Sequence, residues 1–87
     1  MPTIWIPALL RERTGGQESI RVDAGSVAEA IDALEAAYPG VKERLCEGDG
    51  LRPGLAVVID AQVDRQGLTA PLKSDSEVHF IPAIGGG

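Results

Sequence analysis

The stretch SVAEAIDALEAAYPG, residues 26–40, decides the fold. Ser26 is an N-cap residue, Glu29 stands three positions on as a capping box requires, and Val27, Ala30, Ile31, Leu34 and Tyr38 recur at helical spacing. The pattern predicts a helix from about Val27 to Tyr38, ended by Pro39-Gly40 and carrying one apolar stripe. Glu29, Asp32 and Glu35 fall on its outer side, where a solvated face is expected and a working carboxylate pair is not. One amphipathic helix cannot bury its own stripe, so the rest of the chain must supply an opposing layer.

That layer reads as β-structure on both sides of the helix. Upstream, Thr3 to Ala8 is β-branched and aromatic, with Ile4 and Ile6 on one face and Trp5 on the other. Leu9 to Thr14 leads into Gly15-Gly16 and makes a long, partly basic loop, after which Ile20 and Val22 alternate with polar residues in a second strand that pairs back as a hairpin. Downstream, Val41 to Leu45 suits a short further turn of helix, and Cys46 to Gly54 reads as a Gly, Asp and Pro loop. Leu55-Ala56-Val57-Val58-Ile59 is a continuous aliphatic run, expected as a central strand under the helix. Asp60 to Gly67 contains Val63 and predicts a short edge strand or turn, and Leu68 to Lys73 connects around Pro71. Ser74-Asp75-Ser76 then turns into a last strand, Glu77 to Ile81. The order ββαββ in 87 residues predicts one α+β domain, residues 1–87, with a mixed sheet and one main helix packed across it, the β-grasp arrangement. Residues 82–87 are expected to form a flexible tail.

Composition narrows the functions. With 44% hydrophobic and 24% charged residues, but one Trp, one Tyr and one Phe, the core must be aliphatic. Thirteen acidic against eight basic residues give a net charge of -5, which disfavours nucleic acid and anionic membranes and favours a basic partner surface. The single Cys46 excludes an intramolecular disulfide and a multi-cysteine metal site. No segment has the length of a transmembrane helix, Met1-Pro2-Thr3 lacks the cationic flank of a signal peptide, and a cytoplasmic location is expected.

Self-contained catalysis finds little support. The only histidine, His79, alternates with Val78 and Phe80 and reads as a solvent-side or interface residue without a catalytic partner. Cys46 reads as an inert thiol, packed or partly exposed. No metal-ligand cluster is evident, and Gly15-Gly16 and Gly48-Asp49-Gly50 lack the lysine and helix context of a phosphate cradle.

What remains is the end of the chain, Ile84-Gly85-Gly86-Gly87, joined to the last strand through Pro82. A frayed terminus is the plain alternative. Against it, the glycines are terminal, they follow a strand closely, and Pro82 stiffens the exit. Extended from Pro82, six residues reach about 20 Å, enough to cross a partner's active-site tunnel. Glycine leaves the terminal acyl carbon unshielded, and an α-carboxylate of ordinary pKa, about 3.3 to 3.7, is ionised at neutral pH and can attack an activated phosphate.

A tail IPAIGGG after a strand, in a ββαββ order, resembles the ubiquitin-like sulfur carrier proteins of the MoaD and ThiS family. The resemblance covers nearly the whole chain. The stretches IPALLRERTGGQESI and LEAAYPGVKERL resemble most closely the CysO branch, which serves actinobacterial cysteine biosynthesis. The resemblance implies a protein cosubstrate, not an enzyme. An E1-like adenylyltransferase and sulfurtransferase would use ATP to turn the Gly87 carboxylate into an acyl-adenylate and then a thiocarboxylate. In the CysO branch the sulfur would pass to an aminoacrylate acceptor in a cysteine synthase dependent on pyridoxal phosphate, and a zinc metalloprotease of the JAMM type would release the product. ATP, pyridoxal phosphate and zinc would belong to those partners, with no metal or cofactor on this chain. Gly86 and Gly87 match the family diglycine, while Gly85 stands where relatives often carry Ala or Ser.

Ile81 falls where molybdopterin relatives place an exposed aromatic, so Ile81, Pro82 and Ile84 are the implied docking surface. Burial of Ile81 on the far side of the sheet is the alternative, but one helix covers one face, and exposure is expected. Asp60 replaces a common Asn before Gly, and Ser74-Asp75-Ser76 replaces a common Asp-Gly-Asp turn; Asp tolerates both geometries. The same tail chemistry leaves other functions open: the small subunit of molybdopterin synthase, a carrier for thiamin or other sulfur metabolites, a ubiquitin-like protein modifier, or a noncovalent interaction module.

Overall fold

The computed structural model describes residues 1–82, with Leu9 described by its backbone alone. Strands β1 (Thr3–Trp5) and β2 (Ser19–Arg21) precede helices α1 (Val27–Ala37) and α2 (Val41–Leu45). Strands β3 (Cys46–Glu47), β4 (Gly50–Leu51), β5 (Leu55–Ile59), β6 (Gln62–Asp64) and β7 (Glu77–Pro82) follow. Five strands form one mixed sheet in the order β2-β1-β7-β5-β6, in which only the β1–β7 pair is parallel. This is the expected β-grasp: α1 lies across one face of the sheet, and the first and last strands meet at its middle, where Ile4 stands opposite Val78.

The helix forms where its spacing requires. The Ser26 hydroxyl accepts from the Glu29 backbone N–H at 3.2 Å. The reciprocal bond lands one residue earlier than a capping box predicts, because the Glu29 carboxylate accepts from the Gly25 N–H at 3.1 Å. Val27, Ala30, Ile31 and Leu34 are buried and join Ile4, Ile6, Val22, Val57, Val78 and Phe80 in one aliphatic core. Tyr38, expected as the last helical residue, is the C-cap.

Four expectations change. The run Leu55–Ile59 does occupy the interior of the sheet, but the middle strand is β7, paired on both sides, and only Val57 of the run is buried. A continuous aliphatic run suggests cover on both faces; here a single helix covers one, and Ala56 and Val58 turn to the other. The predicted loop Cys46–Gly54 contains the small β3–β4 hairpin, Cys46 opposite Leu51, too short for any periodicity to declare. The first hairpin's connection is packed rather than loose: Leu10 and Thr14 are each 1% exposed, and the Thr14 hydroxyl lies 3.3 Å from the Arg11 carbonyl and 3.1 Å from the Gln17 carbonyl. Finally, Glu35 is half-buried and not simply solvated. Its carboxylate accepts from the Gly40 N–H at 3.1 and 3.2 Å and from the Lys42 N–H at 2.8 Å, serving as the cap that α2 lacks in its own sequence.

The two-residue turn from β5 to β6 is Asp60-Ala61, with φ of 51° and 71° where glycine or asparagine is favoured. Asp60 is held there by β7: its carboxylate accepts from the Glu77 N–H at 2.9 Å and its own N–H donates to the Glu77 carbonyl at 3.0 Å.

Candidate functional site

Strand β7 leads to the glycine tail, so its two faces define what the tail is mounted on. Val78 and Phe80 point into the core, while Glu77, His79 and Ile81 are exposed on the opposite face. Ile81 is 37% exposed and sits opposite Ala56. Pro82, also exposed, faces Leu55 and has no N–H to continue the ladder. The exposed position expected for Ile81 and Pro82 is therefore the one found. Ile84, Gly85, Gly86 and Gly87 lie outside the described residues.

Register shows what accompanies Ile81. Directly opposed residues of paired strands share a face. Ser19 is opposite Trp5, Trp5 opposite His79, His79 opposite Val58, and Val58 opposite Val63, so one row crosses all five strands on the side away from the helix. Val63 is 64% exposed; Trp5, Ala56 and Val58 are half-buried. With Ile81 and Ala56 beside it, the row makes an apolar ground at the root of the tail. Of the three large hydrophobic residues most exposed among the described ones, Val63 and Ile81 both belong to it. The sequence separated Trp5 from Ile4 and Ile6, but nothing in it announced strand register, and Trp5, Val58 and Val63 escaped notice as companions of Ile81.

The polar groups of this face are ordered. The rings of Trp5 and His79 stack with centroids 5.5 Å apart and planes 5° from parallel. The Trp5 indole N–H donates to a Glu77 carboxylate oxygen at 3.0 Å. His79 is thus on the exposed side of the sheet, with an aromatic neighbour.

Three titratable groups away from this face are shifted from their ordinary values. Cys46 is half-buried near Lys42, Glu35, Gly40 and Glu43, and burial pushes its thiol pKa up, which disfavours the thiolate. Hydrogen bonds from the Lys42 and Gly40 backbones hold the Glu35 carboxyl below the usual range. Lys42 donates to the Asp32 carboxylate at 2.8 Å, and that bond raises the lysine's pKa. Among the described residues no cluster of three or more His, Cys, Asp or Glu could hold a metal, and no helix is long and apolar enough to cross a membrane.

A family model described as the ThiS family matches residues 4–87. The curated sulfur carrier protein CysO of Mycobacterium tuberculosis is 34% identical over 92 residues, covering 98% of this chain and 97% of its own. Among solved structures, a chain of the Amycolatopsis orientalis BexX/CysO complex is 32% identical with a TM-score of 0.90, the two chains covering each other fully. The structure of M. tuberculosis CysO is 29% identical with a TM-score of 0.87, over 97% of this chain and 100% of that one. Small archaeal modifier protein SAMP1 from Haloferax volcanii is 26% identical with a TM-score of 0.76, over 99% of this chain and 98% of its own.

Proposed function

This chain belongs to the ThiS family and is a sulfur carrier of the ThiS, MoaD and CysO type, and on that premise we propose that its Gly87 carboxylate is the atom group that carries the sulfur, for cysteine biosynthesis. The observation that supports this reading best is likeness to CysO over nearly the full length of both chains.

The chemistry follows from what a carboxylate lacks. It is a poor electrophile, so an E1-like partner must first join one of its oxygens to the α-phosphorus of ATP, with loss of pyrophosphate. A sulfur nucleophile on the donor side then displaces AMP, and the sulfur replaces oxygen at the terminal carbon. The resulting thiocarboxylate is a better nucleophile than the carboxylate, and it passes sulfur to an electrophilic acceptor held by a cysteine synthase dependent on pyridoxal phosphate. The Gly87 acyl group, left on that sulfur as a thioester, moves to the amine of the new amino acid. A JAMM-type zinc protease hydrolyses the resulting amide, which frees the product and restores the Gly87 carboxylate. This chain contributes no acid, base or metal ligand to any step. Its part is to present the tail, with Gly85 and Gly86 as narrow spacers, and to dock through Ile81, Pro82 and Ile84 together with the apolar row beside them. The cytoplasm, which supplies ATP and reduced sulfur donors, is the proposed setting.

Mass spectrometry of the chain incubated with ATP, an activating enzyme and a sulfur donor tests the proposal. A mass gain equal to exchanging one oxygen for sulfur, confined to the C-terminal peptide and lost on deletion of Gly87, is expected. A second reading, as a ubiquitin-like protein modifier, draws on the likeness to the archaeal modifier protein. Lysine-linked adducts of the chain in a lysate, lost with Gly87, separate it from the carrier.

A further inference from the structure

An indole has two faces and one N–H, and in Trp5 these are unequally used. His79 covers one face. The residue opposite Trp5 on the other side, in β2, is Ser19, whose short side chain cannot cover the second. The N–H is spent on Glu77 at 3.0 Å, which fixes a carboxylate at the edge of the ring. Asp60 adds a second acid at the start of the same strand, its side chain accepting from the Glu77 backbone N–H at 2.9 Å. No cation lies within ion-pair distance of Glu77 or Asp60 among the described residues, and Arg21, opposite Thr3, bounds the area at the β2 edge. The whole chain carries a net charge of -5.

A half-buried indole opposed on one side only by a serine, beside a carboxylate in no ion pair, selects a cation, and a flat one. Guanidinium stacks on an indole and forks onto a carboxylate; ammonium is compact and holds its water more strongly. We propose that this face of the sheet docks an arginine of its partner enzyme, the guanidinium lying on the free face of Trp5 over Ser19 and donating to Glu77. Aliphatic neighbours of that arginine rest on Val58, Val63 and Ile81. This rests on the reading that the face docks a partner, and it names the chemistry that partner must present.

The chain has one tryptophan, so indole fluorescence and the indole N–H resonance report on Trp5 alone. The intact chain is titrated with the peptide acetyl-Leu-Arg-Leu-amide and with its lysine counterpart. The arginine peptide should perturb Trp5 saturably and bind at least about threefold more tightly than the lysine peptide, the scale of an exposed cation–π contact. Glu77→Gln, which keeps an acceptor for the indole, should weaken the arginine peptide about threefold and reduce its salt dependence. Ser19→Leu fills the space above the ring and should abolish the preference for arginine. Equal binding of the two peptides, indifference to both substitutions, or perturbation centred elsewhere overturns the proposal. Thiocarboxylate formation by the same variants separates the two readings. Normal thiolation without arginine preference sinks only the docking chemistry, and arginine preference without thiolation sinks only the carrier chemistry.

Discussion

The two faces of the sheet are written in the same strands and have opposite fates. On one, Ile4, Val57, Val78 and Phe80 meet the stripe of α1 and are nearly or wholly inaccessible. On the other, Trp5, Val58, Val63, His79 and Ile81 are as bulky, yet no element of the described chain covers them. Burial against α1 supplies stability, and the surface left apolar beside the end of β7 is, in the function proposed above, a place to bind. A sequence period of two shows that strands have two faces, but only the number of helices shows that one face remains open.

The comparison breaks if substitutions on the two faces have similar consequences. On the covered face, Leu34→Ala removes a side chain 1% exposed and should cost about 2–5 kcal/mol, read from chemical denaturation. On the open face, Ile81→Glu should change stability by no more than about 0.5 kcal/mol. It should nevertheless lower kcat/KM for thiocarboxylate formation about tenfold, equivalent to about 1.4 kcal/mol of lost docking.

Two smaller effects sharpen the contrast by testing what frames the faces. Ala61 holds a φ of 71° in the turn that aligns Val63 with Val58, so Ala61→Gly should raise stability by about 1 kcal/mol with activation unchanged. Behind the covered face, Glu35 caps α2 with a pKa below its ordinary value of 4.5. A carboxyl lowered by folding stabilises fully above the unfolded value, and that contribution fades as pH falls through the folded one. Glu35→Gln should therefore be less stable than the parent at neutral pH, and the gap should narrow below pH 4.5, as measured by thermal melting across a pH series.

Most of the covered face was legible in the sequence, because Val27, Ala30, Ile31 and Leu34 repeat at helical spacing and Val78 and Phe80 alternate in β7. The outward phase of Ile81 was legible too. Trp5, Val58 and Val63 were not, since they come from three strands and meet only through register, a property of pairing and not of any one segment. Glu35 escaped for a related reason: its helix position marks it as solvent-facing, and only the turn through Gly40 brings the backbone of α2 to its carboxylate.

The most direct test of the account is the intact mass of this chain and of a CysO relative, treated side by side with ATP, an activating enzyme and a sulfur donor. Both are expected to gain the mass of one oxygen-to-sulfur exchange at the terminal glycine, here Gly87. A relative that is thiolated beside a chain that stays unchanged would contradict it.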